Sequence, residues 1–168
     1  MSISTDNFKD ALCNWASGVT IVTSRLHDRH YGMTVSSFCS VSIQPPQVLF
    51  CANRKSHTAS VIHEAKSFTV SMLASEQVSL SELFASDYRE DVRFDGLNCS
   101  LGVTNCPRIP GALVHLDCSL VQEFESGTHL IYVGLVEATE IHDREPLVFQ
   151  LRTYKYLSDK RLDQNCVD

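Results

Sequence analysis

No run of this chain is apolar for long enough to cross a bilayer. The first residues, Met-Ser-Ile-Ser-Thr-Asp-Asn-Phe, lack the basic and then apolar regions of a secretory signal. Basic residues are scarce: 14 Lys and Arg stand against 20 Asp and Glu, a net charge of −6. That balance argues against nucleic acid as the main partner, because phosphate backbones demand concentrated cations; it leaves room for one small basic pocket. None of the seven cysteines forms a Cys-x-x-Cys pair, and the odd count argues against a disulfide framework. Cys13, Cys39, Cys51 and Cys118 lie in apolar segments, where cysteine acts as a small hydrophobe. A reducing, cytoplasmic setting without membrane association is the expectation. There is no P-loop and no Gly-x-Gly-x-x-Gly. Internal repeats and low-complexity tracts are also missing. With 43% apolar residues over 168 positions, what is present is enough for one domain with a sizeable core, spanning residues 1–168.

The most informative stretch is Gly32 to Ser42, read as one strand. Alternation puts Met33, Val35, Cys39, Val41 and Ile43 on a core face. The opposite face carries Thr34, Ser36, Phe38, Ser40 and Ser42, just before Gln44-Pro45-Pro46. Short hydroxyl side chains beside a phenyl ring let a flat, polar-edged ligand approach the backbone. An ordinary strand with a solvated Ser/Thr face produces the same pattern.

The rest reads as many strands with a few helices between them. Phe8, Ala11, Leu12, Trp15 and Ala16 recur at helical spacing after Ser4, Thr5 or Asp6, with Gly18 as terminator. Val19 to Ser24 is a strand and Leu26 to Tyr31 a polar loop. Val48 to Ala52 is continuously apolar, a strand expected to be buried on both sides. Helices are expected over Ser56 to Ala65 and Ser75 to Ala85, with strand Phe68 to Leu73 between them. Asp87 to Gly111 is irregular, long enough to be a lid or an interface segment. Ala112 to Phe124 and His129 to Ile141 form a hairpin, followed by strands Leu147 to Leu151 and Tyr154 to Leu157 and a loose tail, 158–168. This order predicts a mainly β fold, a small barrel with peripheral helices rather than a doubly wound sheet.

Two clusters carry charged or metal-ligating side chains. Arg54-Lys55 precedes the helix starting near Ser56, and a helix N-terminus beside cations is an anion site. His57 lies close enough to join it. His115-Leu116-Asp117-Cys118 offers three ligating types, but on a strand Cys118 points away from the other two, so no metal site is expected.

Taken in order, Trp15 to Thr23, Gly32 to Ser42, Pro45 to Cys51, Ser67 to Leu73, Leu83-Phe84-Ala85, Ile109 to Ala112, Gly127-Thr128-His129 and Pro146-Leu147 resemble the short-chain flavin reductases. These proteins are the reductase components of two-component flavin-dependent monooxygenases. The resemblance runs from about Phe8 to Leu157 and implies an FMN-binding split β-barrel, usually a homodimer. It implies an NAD(P)H:flavin oxidoreductase that passes hydride from NADH or NADPH to N5 of FMN or FAD. Reduced flavin would then go to a partner monooxygenase. By position, Thr34, Val35, Ser36 and Ser37 would line the isoalloxazine, with Ser40 and Ser42 toward the phosphate. Asn53, Arg54, Lys55, Ser56 and Thr58 would hold the ribityl chain and phosphate.

His129 is the candidate catalytic residue on the nicotinamide side, with Tyr154 a second wall. The family pattern has Gly-Asp before this histidine; here it is Gly127-Thr128, so the acid that could orient or charge the imidazole is lost. Arg152-Thr153 stands before Tyr154 where the family often has glycine. These departures keep two alternatives open: a flavoenzyme with tightly held flavin acting on another acceptor or a biosynthetic substrate, and a non-redox flavin-binding protein. A dimer interface is expected on the hairpin and the Asp87 to Gly111 segment.

Overall fold

A computed structural model describes residues 3–157. The tail expected from residue 158 onward lies outside the described residues. Short strands dominate. Strand β1 is Ser17–Gly18, β2 Thr20–Leu26, β3 Arg29–Val35, β4 Phe38–Ser42, β5 Gln47–Asn53 and β6 Ser67–Met72. Strands β7 (Ser100–Leu101) and β8 (Pro107–Arg108) are a small pair, β9 (Val114–Ser126) and β10 (His129–Ile141) a long hairpin, and β11 (Val148–Gln150) and β12 (Thr153–Lys155) close the chain. Helices are α1 (Thr5–Leu12), α2 (His57–Ala65) and α3 (Val78–Ala85), with a 3-10 helix at Asp87–Val92.

Seven strands form one antiparallel sheet in the order β3-β2-β6-β9-β10-β5-β4. Its two outer strands, β3 and β4, are joined in the chain by only Ser36 and Ser37. A sheet whose opposite edges are two residues apart must curl until those edges approach. The edges do not pair with each other, so the result is a barrel split between β3 and β4. This corrects the reading of Gly32 to Ser42 as a single strand: the chain crosses from one edge to the other at Ser36-Ser37. Beyond the crossing the expected core face fails. Cys39 is exposed, Val41 is 47% exposed and Ile43 94%.

The barrel interior is filled by Val22, Met33, Val35, Phe50, Phe68 and Tyr132 among others. Phe50 stacks on Tyr132 with centroids 5.1 Å apart and meets Phe68 edge-on at 5.1 Å. Gly134 admits the Phe68 ring; a Cβ there would stand 2.3 Å from its Cζ atom. Helix α2 contributes Ala59 and Ile62 to the same core. The Tyr132 hydroxyl donates to Ala59 O at 2.9 Å, which fixes α2 against β10. A second cluster outside the barrel wall joins Val19, Ile21, Leu73, Phe84, Ile109 and Leu147. Strand β2 is therefore buried on both faces, while β5, expected to be so, alternates between buried and partly exposed residues.

Helix α1 stops at Leu12, short of the expected end, and buries none of its residues; Trp15 beyond it is 75% exposed. The polar segment 26–31 is a tight hairpin, with His27 and Asp28 both in the left-handed region. Much of the irregular segment after α3 is strapped down. Arg93 donates to Gly32 O at 2.6 Å and to Ser86 O at 2.9 Å. Asp117, fully buried on β9, accepts from Arg108, from the Val103 amide at 2.8 Å and from Thr69 at 3.0 Å. Its neighbour His115 bonds Ser71 through Nδ1 at 3.1 Å. Both carboxylate oxygens of Asp117 are thus committed to the strap.

Candidate active site

The split opens into a cavity of 970 Å³. Its floor is the end of β3 (Met33, Thr34, Val35) with the Ser36-Ser37 crossing. One wall is the end of β5 (Cys51, Ala52, Asn53) with His129 and Ile131 of β10, and the other is Phe84 and Ala85 of α3. Lys55, Ser56 and His57 close one end together with Glu90 and Arg93, and Phe8 and Leu12 of α1 lean over it.

Ser37 is clamped. Its hydroxyl donates to Cys51 O at 2.9 Å, and the Cys51 amide lies within bonding distance of both the Ser37 hydroxyl, 3.1 Å, and the Ser37 carbonyl, 3.3 Å. This bond stitches the crossing to β5 and holds the slot open at a fixed width. The Thr34 hydroxyl donates to Ser81 O at 2.6 Å, and the Ser81 hydroxyl accepts from Tyr154 at 3.0 Å. Thr34 and Tyr154 therefore share one partner on α3, although Tyr154 packs on Phe149 in the outer cluster and does not line the cavity.

The end at α2 gathers donors and a cation, the chemistry that suits an anion. Ser56 caps the helix, its hydroxyl accepting from the Ala59 amide at 3.4 Å, which leaves the His57 and Thr58 amides without intrahelical acceptors. Asn53 Oδ1 accepts from the Lys55 amide at 3.0 Å and shapes the turn into the helix. Lys55 adds a cation. Arg54 is aimed elsewhere, 3.7 Å from Glu125, and is not in the lining. Glu90 lies 3.6 Å from Arg93 and 3.8 Å from His57, so its charge is met within the rim.

His129 is opposite Asn53 in the β5–β10 ladder, which carries it to the cavity mouth. Its Nδ1 and the Thr128 hydroxyl share a 2.9 Å hydrogen bond, leaving Nε2 for a ligand. A neutral hydroxyl fixes the ring but supplies no charge to it.

Of the residues singled out in the sequence, Thr34, Val35, Ser36, Ser37, Asn53, Lys55, Ser56 and His129 converge on the cavity. Ser40 and Ser42 lie along β4, outside the lining, and Thr58 is fully buried behind Ser56. Sequence reasoning missed Phe8 and Leu12, whose spacing pointed to a core, and Phe84, Glu90 and Arg93. For the last two the sequence holds no signal: Arg93 finds its acceptor on Gly32, 61 residues away. The cavity thus fits a flat ring with polar edges and an anionic tail.

Residues 13–158 match the family described as flavin reductase like domain. The chain belongs to the flavin reductase like family. It is 37% identical to the reductase component of 4-hydroxyphenylacetate 3-monooxygenase from Thermus thermophilus, over 89% of this chain and 95% of that protein. It is 34% identical to the FMN reductase (NADH) RutF of Klebsiella pneumoniae, over 90% of this chain and 93% of that one. Among solved structures, the flavin reductase component of a bacterial two-component tryptophan halogenase superposes with a TM-score of 0.86 at 32% identity. That match covers 94% of this chain and 100% of the other.

Proposed function

We infer that this chain is an NAD(P)H-dependent flavin reductase that delivers reduced flavin to a partner monooxygenase. One observation carries the assignment. The slot at the barrel's split runs from a hydroxyl-lined crossing to a capped, cation-flanked helix N-terminus, and it does so in a chain of the flavin reductase like family. Relatives named as monooxygenase reductase components and as FMN reductases support the donor, the acceptor and the class of partner.

When bound, FMN or FAD and NADH or NADPH supply the hydride chemistry between them. The protein's part is alignment. The Ser36-Ser37 crossing would present backbone groups and the Ser36 hydroxyl to the polar edge of the ring, the Ser37 hydroxyl being held by Cys51, and Val35 and Ile131 would offer apolar surface. The α2 amides, Ser56 and Lys55 would hold the phosphate, and Asn53 would serve the ribityl chain. Phe8 and Leu12 keep water from one side of the slot. His129, fixed through Nδ1, would offer Nε2 as a hydrogen-bond partner to the nicotinamide carboxamide. No protein group has to move a proton for a hydride to pass, so a neutral Thr128 in place of an acid is compatible with the reaction.

The exposed apolar residues Trp15, Val121 and Phe124 support a homodimer, and the six free thiols among the described residues support a reducing cytoplasm. None of the described helices is long and apolar enough to cross a membrane.

Purified protein given free flavin is expected to oxidise NADH or NADPH with a rate that saturates in flavin. His129→Ala is expected to lower kcat/KM for the nicotinamide about tenfold, the worth of one hydrogen bond, and to leave the flavin Kd within about twofold. Turnover no faster than the uncatalysed mixture would exclude the assignment, and an unchanged nicotinamide kcat/KM in the variant would remove His129 from the site.

A further inference from the structure

Beside the main cavity is a second, of 410 Å³, and the two share His57 and Glu90. Four of the seven residues lining this annex are aromatic: His30, Tyr31, His57 and Phe94. They stand as two edge-on pairs, His30 with Phe94 at 5.4 Å and Tyr31 with His57 at 5.0 Å. The Arg29 guanidinium is 5.7 Å from the Tyr31 ring centre. Asp28 and Glu90 complete the lining and bring carboxylates. Asp28 is paired with Arg25, and Glu90 faces Arg93 and His57, so neither presents an uncompensated charge to a phosphate.

We propose that this annex receives the adenosine monophosphate half of FAD, making FAD rather than FMN the preferred flavin. The inference rests on the flavin reading given above. The chemistry of the annex matches that half molecule. Aromatic faces stack a purine, a guanidinium binds a second phosphate, and carboxylates accept from ribose hydroxyls and an exocyclic amine. Its position selects the ligand. The annex meets the main cavity at His57 and Glu90, the α2 end where the flavin's own phosphate would be held, so a group extending from that phosphate reaches it directly. FMN ends there; FAD continues. The adenosine of the nicotinamide nucleotide is the other purine available. None of the β10 residues in the main cavity, His129 included, reaches the annex, which separates it from the nicotinamide side.

The test is the binding of FAD, FMN and riboflavin to the wild-type protein and to Tyr31→Ala, Tyr31→Phe and Arg29→Gln, read by flavin fluorescence, with NADH KM measured in parallel. Wild type is expected to bind FAD about tenfold more tightly than FMN. Tyr31→Ala should erase most of that ratio by weakening FAD about tenfold, with FMN unchanged within about twofold. Tyr31→Phe should keep the ratio, and Arg29→Gln should reduce it severalfold even if Tyr31→Ala does not fold. Equal wild-type affinity for the two flavins overturns the proposal. So does an equal loss of both in Tyr31→Ala, or a rise in NADH KM with the FAD/FMN ratio intact, which would give the annex to the nicotinamide nucleotide. Absence of any flavin binding by wild-type protein overturns the underlying flavin reading itself.

Discussion

Lys55→Glu is expected to raise the flavin KM about thirtyfold while the NAD(P)H KM stays within about threefold of wild type. Lys55 is the one residue of the Arg54-Lys55 pair that lines the cavity, next to the uncapped amides of α2. A charge-assisted bond to a phosphate contributes about 1.5–3 kcal/mol. Reversal of the charge loses that and adds repulsion, and about 2 kcal/mol corresponds to roughly thirtyfold. Arg54→Ala makes the contrast: Arg54 faces Glu125 outside the lining, so its removal should change the flavin KM less than about threefold. Steady-state kinetics with flavin and nicotinamide varied in turn measure both. Equal effects at the two positions, or a shift carried mainly by the nicotinamide KM, would place the phosphate elsewhere.

Asp117→Asn is expected to destabilise the fold by about 2–3 kcal/mol and lower Tm by roughly 5–10 °C. Burial by itself would raise the Asp117 pKa. The Arg108 guanidinium, the Val103 amide and the Thr69 hydroxyl outweigh it and hold the carboxyl below its ordinary 3.8. A carboxylate lowered in the folded state stabilises at every pH above the unfolded value, and that stability is lost as pH falls through the folded one. The gap between wild type and Asp117→Asn should therefore be constant near neutrality and narrow below about pH 4. His115 adds to the acid sensitivity of both proteins. Burial first, then Arg108, pushes its pKa below 6.5, so the unfolded chain takes up a proton that the folded chain refuses, and stability begins to fall as pH drops through 6.5. Thermal melts across pH check this, and a gap of constant size down to acid denaturation would show that the Asp117 charge is not what holds the strap.

Local pattern made much of this fold legible. The α2 start was marked by Ser56 and its flanking cations, and the β9–β10 hairpin by two long β-rich runs about Gly127. The Gly32 to Ser42 segment pointed to the cavity floor for an incomplete reason. Alternation continues through Ser36-Ser37 as if one strand ran on, because both halves are extended; only the closure of a seven-stranded sheet requires the chain to change edges there. Helix α1 shows the same limit. The spacing of Phe8 and Leu12 is helical, but amphipathic spacing cannot say whether the apolar face meets a core or a ligand slot. Glu90, Arg93 and the Arg108–Asp117 clamp were illegible, since each acquires its role from a contact that sequence separation hides.

The most direct test of the slot as a flavin-reducing site is anaerobic mixing of the protein with excess free flavin and NADH or NADPH, followed by the yellow flavin band. Bleaching of the whole flavin pool is expected, at a rate proportional to enzyme and with one nicotinamide oxidised per flavin. Bleaching limited to one flavin per protein, or no faster than the enzyme-free mixture, would contradict it.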